Sequence, residues 1–166
     1  MKKSVFMLIL VIAFFTTSCV SEEAKTPLVD INVEDSVSFL IENVNSEDKS
    51  LDDYMALVKG KSDVIKNSLG NDALTQTDMN IKSQELYELW DETLNYLWSK
   101  LKNSLSEEEF AKLKNQQRIW IAEKEKAIEE AGKEFEGGSI YSLVVNGEAT
   151  RITEERVYEL YELIKE

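Results

Sequence analysis

The sequence predicts an all-α protein built on an antiparallel core of three helices, at about residues 78–103, 106–131 and 139–164. The 166-residue chain has one proline and six glycines, so residues that interrupt helices are rare. Apolar residues recur at intervals of three and four over most of the chain, which places them on one face of a helix. Only short polar segments separate these stretches, and helices joined by short connections pack antiparallel.

The first 18 residues have the layout of a secretory signal peptide. Lys2 and Lys3 precede an apolar run over residues 5–15, which is shorter than the roughly 20 residues that a membrane-spanning helix needs. Small residues follow and lead directly to Cys19, the single cysteine of the chain. This arrangement resembles a bacterial lipobox, whose cysteine is lipidated and becomes the new N-terminus. The alternative is an ordinary exported protein with one free thiol.

An N-terminal helical segment, residues 33–70, precedes the core helices. Residues 19–32 are mostly small and polar and are interpreted as a flexible tether that leads to this segment. Two shorter helices are predicted within it, at about residues 33–44 and 51–69. Ser50 is the predicted N-cap of the second, because a serine side chain accepts hydrogen bonds from the first turn of a helix.

The principal helical domain, residues 71–166, contains the three core helices. Ser106 is the predicted N-cap of the second core helix, and Ser139 is the candidate cap of the third. Gly147, within the third helix, is expected to mark a kink or a close contact between helices. A β-strand over residues 140–145 is the alternative there, since a short apolar run does not distinguish a strand from a helix.

Several polar side chains fall on helix faces that are otherwise apolar. Gln117 and Lys124 share a face with Trp120, which is expected at the centre of the core. A buried polar group costs about 1–3 kcal/mol unless it is paired, so partners such as Asp91 are expected on neighbouring helices. A polar cleft that receives a partner's side chain is the functional alternative. The polar set comprises Asp91, Asn95, Gln117, Lys124, Glu125 and Arg156, and the aromatic set comprises Trp90, Trp98 and Trp120.

The chain lacks the usual signatures of catalysis. It contains no histidine, and no phosphate-binding loop or nucleophile elbow occurs in it. Its many glutamates are interpreted as solvated charge and as favourable partners of helix N-termini. No loop has the alternating oxygen ligands and glycine of a calcium site. We therefore expect a protein that is not an enzyme and that uses no cofactor and no metal.

The chain is strongly acidic. Its formal net charge is −13, and removal of Lys2 and Lys3 with a leader that contains no acidic residue brings it to −15. Such a protein is repelled by nucleic acid and attracts cationic partners. Solubility alone is the alternative explanation of this charge.

Five short motifs occur in order along the chain. They are TQTDMN (Thr75–Asn80), WDETLNYLW (Trp90–Trp98), LKNQQRIWIAEKE (Leu113–Glu125), GGS (Gly137–Ser139) and ITEER (Ile152–Arg156). Together they resemble the lysozyme inhibitor LprI-like domain family, and the resemblance covers about residues 74–164. It implies a small, exported, all-helical domain that inhibits lysozyme.

The resemblance and the leader together predict a lipid-anchored protein of the bacterial cell envelope. Its expected function is to bind lysozyme or a related cationic peptidoglycan hydrolase and to occlude the cleft of that enzyme. Lysozyme-type enzymes work through two carboxylates, which backbone N–H groups or hydroxyls of an inhibitor can satisfy. The candidate contact residues lie in the loop before the third core helix and are Gly137, Gly138, Ser139 and Tyr141. A simple connection between helices is the alternative for this loop, and a non-inhibitory envelope scaffold or protein-interaction module is the alternative function.

Replacing Cys19 with Ser is expected to remove the lipid anchor and to leave the helical domain folded, because Cys19 lies outside every predicted helix. The Cys19→Ser protein should lose incorporation of labelled palmitate. It should also move from the membrane fraction to the soluble or unprocessed exported fraction. Unchanged detergent partitioning after this replacement would contradict the lipobox interpretation.

Overall fold

The computed structural model describes residues 50–71 and 73–165, which form four α-helices and no strand. The helices are α1, Leu51–Asn71; α2, Gln76–Ser104; α3, Glu107–Gly132; and α4, Tyr141–Lys165. A short 3₁₀ helix, Lys133–Phe135, follows α3 directly. The predicted all-α class is confirmed, and the alternative strand over residues 140–145 is wrong because this segment is helical from Tyr141 onward.

Three predicted features lie outside the described residues. They are the signal peptide over residues 1–18, the tether over residues 19–32 with Cys19, and the helix at residues 33–44. Within the part of the chain that is described, no helix has both the length and the apolar character that a membrane crossing requires.

Hydrogen bonds over three residues fix the starts of α1, α2 and α3. At α2 the Thr75 hydroxyl accepts from the N–H of Asp78, and the Asp78 carboxylate accepts from the N–H of Thr75 at 3.1 Å. Ser106 and Glu109 form the same capping box at α3. Hydrogen bonds from the side chain and then from the backbone of the cap residue lower the pKa of Asp78 and of Glu109. The caps predicted at Ser50 and Ser106 are confirmed.

The start of α4 differs from the prediction. The helix begins at Tyr141, and the N–H of Val144 donates to the carbonyl of Ile140 at 3.1 Å. The carbonyl of Ser139 accepts instead from the side-chain amide of Asn80 in α2, at 2.9 Å. Ser139 is therefore held by a contact with another helix before the first turn of α4, and it is not the cap that the sequence predicts.

α2 and α4 form the central pair of helices. They run parallel, because the contacts Asn80–Ser139 and Trp90–Tyr158 advance in the same direction along both. α2 makes its most extensive backbone contacts with α4, α3 packs mainly on α4, and α1 packs on α2. Side-chain contacts show that α3 runs antiparallel to α2, as predicted. The closest neighbour of α2 is nevertheless α4, not the helix that follows it along the chain.

Small side chains allow the two central helices to approach closely. Ala149, Thr150 and Thr153 are buried on α4, and Ser83, which contacts Asn146 of α4, is buried on α2. The hydroxyls of the two α4 threonines have no hydrogen-bond partner among the described residues. Close packing, not hydrogen bonding, therefore accounts for the burial of these two side chains.

Trp90 is the aromatic centre of the core. It is fully buried, its indole N–H donates to the Ser62 hydroxyl of α1 at 3.1 Å, and its ring lies 5.7 Å from that of Tyr158 on α4. Trp98 and Trp120 pack against the core but are only partly buried. The expectation that Trp120 occupies the centre is wrong because α3 lies beside α4 and fully buries only three of its residues.

α1 contacts α4 as well as α2. Tyr54 of α1 is buried in the same core cluster as the residues of α2 and α4. Lys66 forms an ion pair with Glu154 of α4 at 2.7 Å. The hydroxyl of Tyr161 donates to Asp52, and this hydrogen bond is the main reason that the pKa of Tyr161 is raised to about 12. The N-terminal helix therefore contributes to one core together with the later helices.

Gly132 is the site of a close contact between helices. A Cβ atom added there would lie 2.7 Å from Cγ1 of Val145 and 2.8 Å from Cε2 of Tyr141. At Gly147 an added Cβ would have no neighbour within 4 Å, so the close contact expected there is absent. The missing side chain of Gly132 thus allows the end of α3 to approach the first turns of α4.

The replacements Gly132→Ala and Gly60→Ala are expected to have opposite effects on stability. Gly60 lies inside α1 with open space around it, so alanine should raise the free energy of unfolding by about 0.5–1 kcal/mol. Alanine at Gly132 must displace Val145 and Tyr141. This replacement should lower the free energy of unfolding by about 1–3 kcal/mol. Urea denaturation of both variants measures the difference, and a stabilised Gly132→Ala protein would contradict the contact described above.

Candidate functional site

The predicted polar set divides into two groups, of which the first is buried between α3 and α4. Nε of Arg156 donates to Oε1 of Gln117 at 2.9 Å, and both residues are buried. Nη1 of Arg156 donates to Glu159 at 2.6 Å, at the edge of the contact. Nη2 of Arg156 is buried and has no hydrogen-bond partner among the described residues. The sequence predicts that Gln117 has a partner on a neighbouring helix, and Arg156 is that partner.

The second group surrounds Lys124 at the edge between α2 and α3. Nζ of Lys124 lies 3.9 Å from the carboxylate of Asp91 and 3.4 Å from the hydroxyl of Tyr87. The side-chain amide of Asn95 donates to the same carboxylate at 3.1 Å. The Lys124 side chain is 12% exposed and that of Asp91 is 38% exposed, so the pair is partly hydrated. Glu125 is exposed and takes no part in either group.

Trp120 lies between the two cations. Its ring centroid is 4.9 Å from Nζ of Lys124 and 6.0 Å from Cζ of Arg156. Such cation–π contacts contribute about 0.5–2 kcal/mol each, more as the cation is removed from water. Trp120 therefore links the buried and the partly hydrated group of polar residues, although it does not fill the core.

The loop between α3 and α4 carries the predicted contact residues, and all of its residues are exposed. Gly137 has a φ of +73°, a conformation that glycine adopts without strain. The N–H of Gly138 donates to the carbonyl of Phe135 at 3.0 Å, and the N–H of Tyr141 donates to that of Gly138 at 3.2 Å. Together with the bond from Asn80 to the carbonyl of Ser139, these contacts give the loop a defined shape.

Exposed apolar side chains surround this loop. Phe135, Ile140 and Tyr141 belong to the loop and its ends, and Ile81 lies on the adjoining face of α2. We call these four residues the apolar rim. The ring of Tyr141 is in addition held against Gly132 at the end of α3. Four exposed hydrophobic residues around one fixed loop are a feature of surfaces that bind other proteins.

An open groove of about 390 Å³ adjoins the loop, between the first turns of α4 and the first half of α2. Its lining residues are Asn80, Ile81, Gln84, Glu85, Glu88, Ser142 and Asn146. No sequence pattern predicts a site at these residues. Glu85 and Glu88 follow each other at helical spacing, but this pattern alone does not separate them from other solvated glutamates, because the opposing wall comes from a distant part of the chain.

Carboxylates continue along the same helix beyond the groove. Burial, followed by the charges of Glu88 and Asp91, raises the pKa of Glu92. Neighbouring carboxylates on one helix produce a negative potential, which attracts cations. Among residues 50–71 and 73–165, however, no three acidic, cysteine or histidine side chains are grouped so that they could hold a metal ion. The arrangement is suited to charged contact with another molecule.

Replacing Gln117 with Leu is expected to lower the free energy of unfolding by about 2–3 kcal/mol, because Nε of the buried Arg156 loses its acceptor. Adding Arg156→Met should recover much of this loss in a double-mutant cycle. Lys124→Met should cost no more than about 1 kcal/mol, since Asp91 stays hydrated without it. Urea denaturation gives all three values, and equal losses for Gln117→Leu and Lys124→Met would contradict the division into a buried and a hydrated group.

A comparison with protein families matches the lysozyme inhibitor LprI family over residues 70–160. A search of curated proteins and a search of solved structures each found no match. The matched region contains all of α2 and α3, the loop, and α4 as far as Leu160, and thus both groups of polar residues. Because the match covers more than half of the chain, this protein belongs to the lysozyme inhibitor LprI family.

Proposed function

We propose that the protein binds a cationic, lysozyme-like peptidoglycan hydrolase and inhibits it by occluding its substrate cleft. The observation that carries this proposal is the match to the lysozyme inhibitor LprI family over residues 70–160. The formal net charge of −13 supports a cationic partner, since opposite charges steer two proteins together and accelerate their association.

The loop between α3 and α4 is the part of the described surface that best suits insertion into a cleft. Lysozyme-type enzymes carry two carboxylates in their cleft, and an inhibitor must satisfy them or keep them hydrated. The N–H groups of Ser139 and Ile140 are not used in the backbone hydrogen bonds of the turn. The candidate contact residues are Gly137, Gly138, Ser139 and Tyr141. Because they are uncharged, they approach the two carboxylates of the enzyme without repulsion.

The apolar rim supports the same assignment. Exposed Phe135, Ile140 and Tyr141 supply hydrophobic area that is removed from water when the loop is covered. The loop is fixed by Gly137 and by the bond from Asn80 to Ser139, so little conformational entropy is lost on binding. Apolar area gives affinity, and the uncharged candidate contact residues give compatibility with the cleft.

We further propose that the protein acts at the bacterial cell envelope, exported by its leader and anchored through a lipid on Cys19. In this arrangement the tether over residues 19–32 would hold the helical domain near the membrane. The helical domain would then bind the hydrolase at the place where this enzyme reaches the peptidoglycan.

A non-inhibitory envelope scaffold is the second candidate function. α1 lies almost entirely outside the region matched by the family, and it exposes Leu57 and Val64, which share one helix face. Such a face suits a second protein partner. Recovery of one stoichiometric envelope protein in a co-purification, without any effect on lysozyme, would favour this function over inhibition.

The purified mature chain is expected to slow the lysis of peptidoglycan by lysozyme in a dose-dependent manner. The inhibition should weaken as salt rises, because the Debye length falls from about 10 Å at 0.1 M to about 3 Å at 1 M. Turbidity clearing measures the rate. Failure to inhibit at micromolar excess, at both low and moderate salt, would exclude this function for the enzyme tested.

Replacing Ile140 with Asp is expected to weaken this inhibition about tenfold or more, because a charge then enters the apolar rim and faces the carboxylates of the enzyme. Leu163→Asp is the matched control, since Leu163 is 40% exposed and Ile140 is 39% exposed, and Leu163 lies near the other end of α4. Both variants should keep the Tm of the parent. An equal loss of inhibition in the two variants would show that the loop is not the contact.

A further inference from the structure

We propose that the groove between α2 and α4 binds a lysine or arginine side chain of the hydrolase, beside the point where the loop enters the cleft. This inference rests on the proposed function and adds a second contact to it. The groove and the loop are neighbours, since Ser142 lines the groove and is the second residue of α4. A partner that covers the loop therefore also covers the groove.

The lining of the groove fits a long cationic side chain. Glu85 and Glu88 lie three residues apart on α2, which places both carboxylates on one wall. Ile81 is exposed on the same helix and can pack against the aliphatic stem that lysine and arginine carry. The remaining lining residues are uncharged and polar, and none of the lining residues is basic. The stem and the charged head thus each meet a matching surface.

The two carboxylates of the groove are not neutralised within the protein. Glu85 forms no ion pair with any described residue, and Glu88 accepts only a hydrogen bond from the neutral amide of Gln84, at 2.7 Å. Elsewhere, the described carboxylates of Glu148 and Glu154 are paired with an arginine and a lysine. The groove therefore keeps its negative charge for a partner.

Hydrogen bonds hold the two walls of the groove and the loop together. The side-chain amide of Asn146 on α4 donates to the hydroxyl of Ser83 on α2 at 3.2 Å, and this hydroxyl donates to the carbonyl of Asn80 at 2.8 Å. Asn80 in turn donates to Ser139 of the loop at 2.9 Å. A surface that is ordered before binding loses less entropy on binding, which favours recognition of one specific side chain.

A protein side chain fits the groove better than a metal ion does. Calcium requires six to eight oxygen ligands, and no three acidic side chains are grouped for that purpose among the described residues. An apolar contact such as Ile81 has no role in holding an ion but does have one in holding an aliphatic stem. The groove thus selects the kind of cation that a basic protein displays.

Removal of both carboxylates by Glu85→Gln and Glu88→Gln in the full mature chain tests this inference. The matched control carries Glu107→Gln and Glu162→Gln, which remove the same charge from exposed residues at the start of α3 and near the end of α4. We expect the Kd for lysozyme to rise about tenfold in the groove variant and less than about threefold in the control, at unchanged Tm. The groove variant should also lose more of the salt dependence of binding, compared at about 0.05 M and about 0.5 M salt. Equal changes in the two variants would overturn the inference.

A titration that needs no lysozyme separates this inference from the proposed function. Arginine methyl ester, added to the ¹⁵N-labelled mature chain, should shift the NMR signals of the side-chain amides of Asn80, Gln84 and Asn146. These shifts should disappear in the groove variant and persist in the control. Shifts without inhibition of lysozyme would support the groove while removing the proposed partner, whereas inhibition without these shifts would overturn the groove and retain the function.

Discussion

The close packing of α2 on α4 is the constraint on which the rest of this structure depends. Small buried side chains bring the two helices together, and the fully buried Trp90 links them to α1 through its hydrogen bond to Ser62. The hydroxyls of Thr150 and Thr153 are buried without a partner among the described residues, which is a cost of about 1–3 kcal/mol for each group. Such a cost persists only where the surrounding packing is strongly favourable. The other two helices pack on this central pair, α1 mainly on α2 and α3 mainly on α4.

The same packing creates the candidate binding surface. Because α2 and α4 run parallel, their first turns lie at one end, where the loop after α3 also arrives. The absence of a side chain at Gly132 allows α3 to approach Tyr141, and the positive φ of Gly137 allows the chain to turn. The side-chain amide of Asn80 in α2 donates a hydrogen bond to the carbonyl of Ser139. The groove and the apolar rim are thus consequences of helix packing, and a change in the core near this end would alter both.

The family motifs contain residues of two different kinds. Trp90, Gln117 and Arg156 are buried, and their contacts hold α1, α3 and α4 in place. Lys124 and Asp91 form a partly hydrated pair, and the glycines of the loop face solvent. The first kind explains how the domain is held together, and the second kind lies at the surface of the domain.

The sequence by itself determined the features that depend on near neighbours along the chain: the helices, the caps at Ser50 and Ser106, the glycine-rich loop, and the family. These rest on hydrogen bonds over three or four residues and on the spacing of apolar side chains, which a single sequence displays directly. Only the tertiary structure decided that Trp90 and not Trp120 is central, that Arg156 is the partner of Gln117, and that Glu85 and Glu88 line a groove. Helical spacing reveals which face of a helix is buried but not which helix covers it. The residues that meet at these places are separated by 28 to 63 positions.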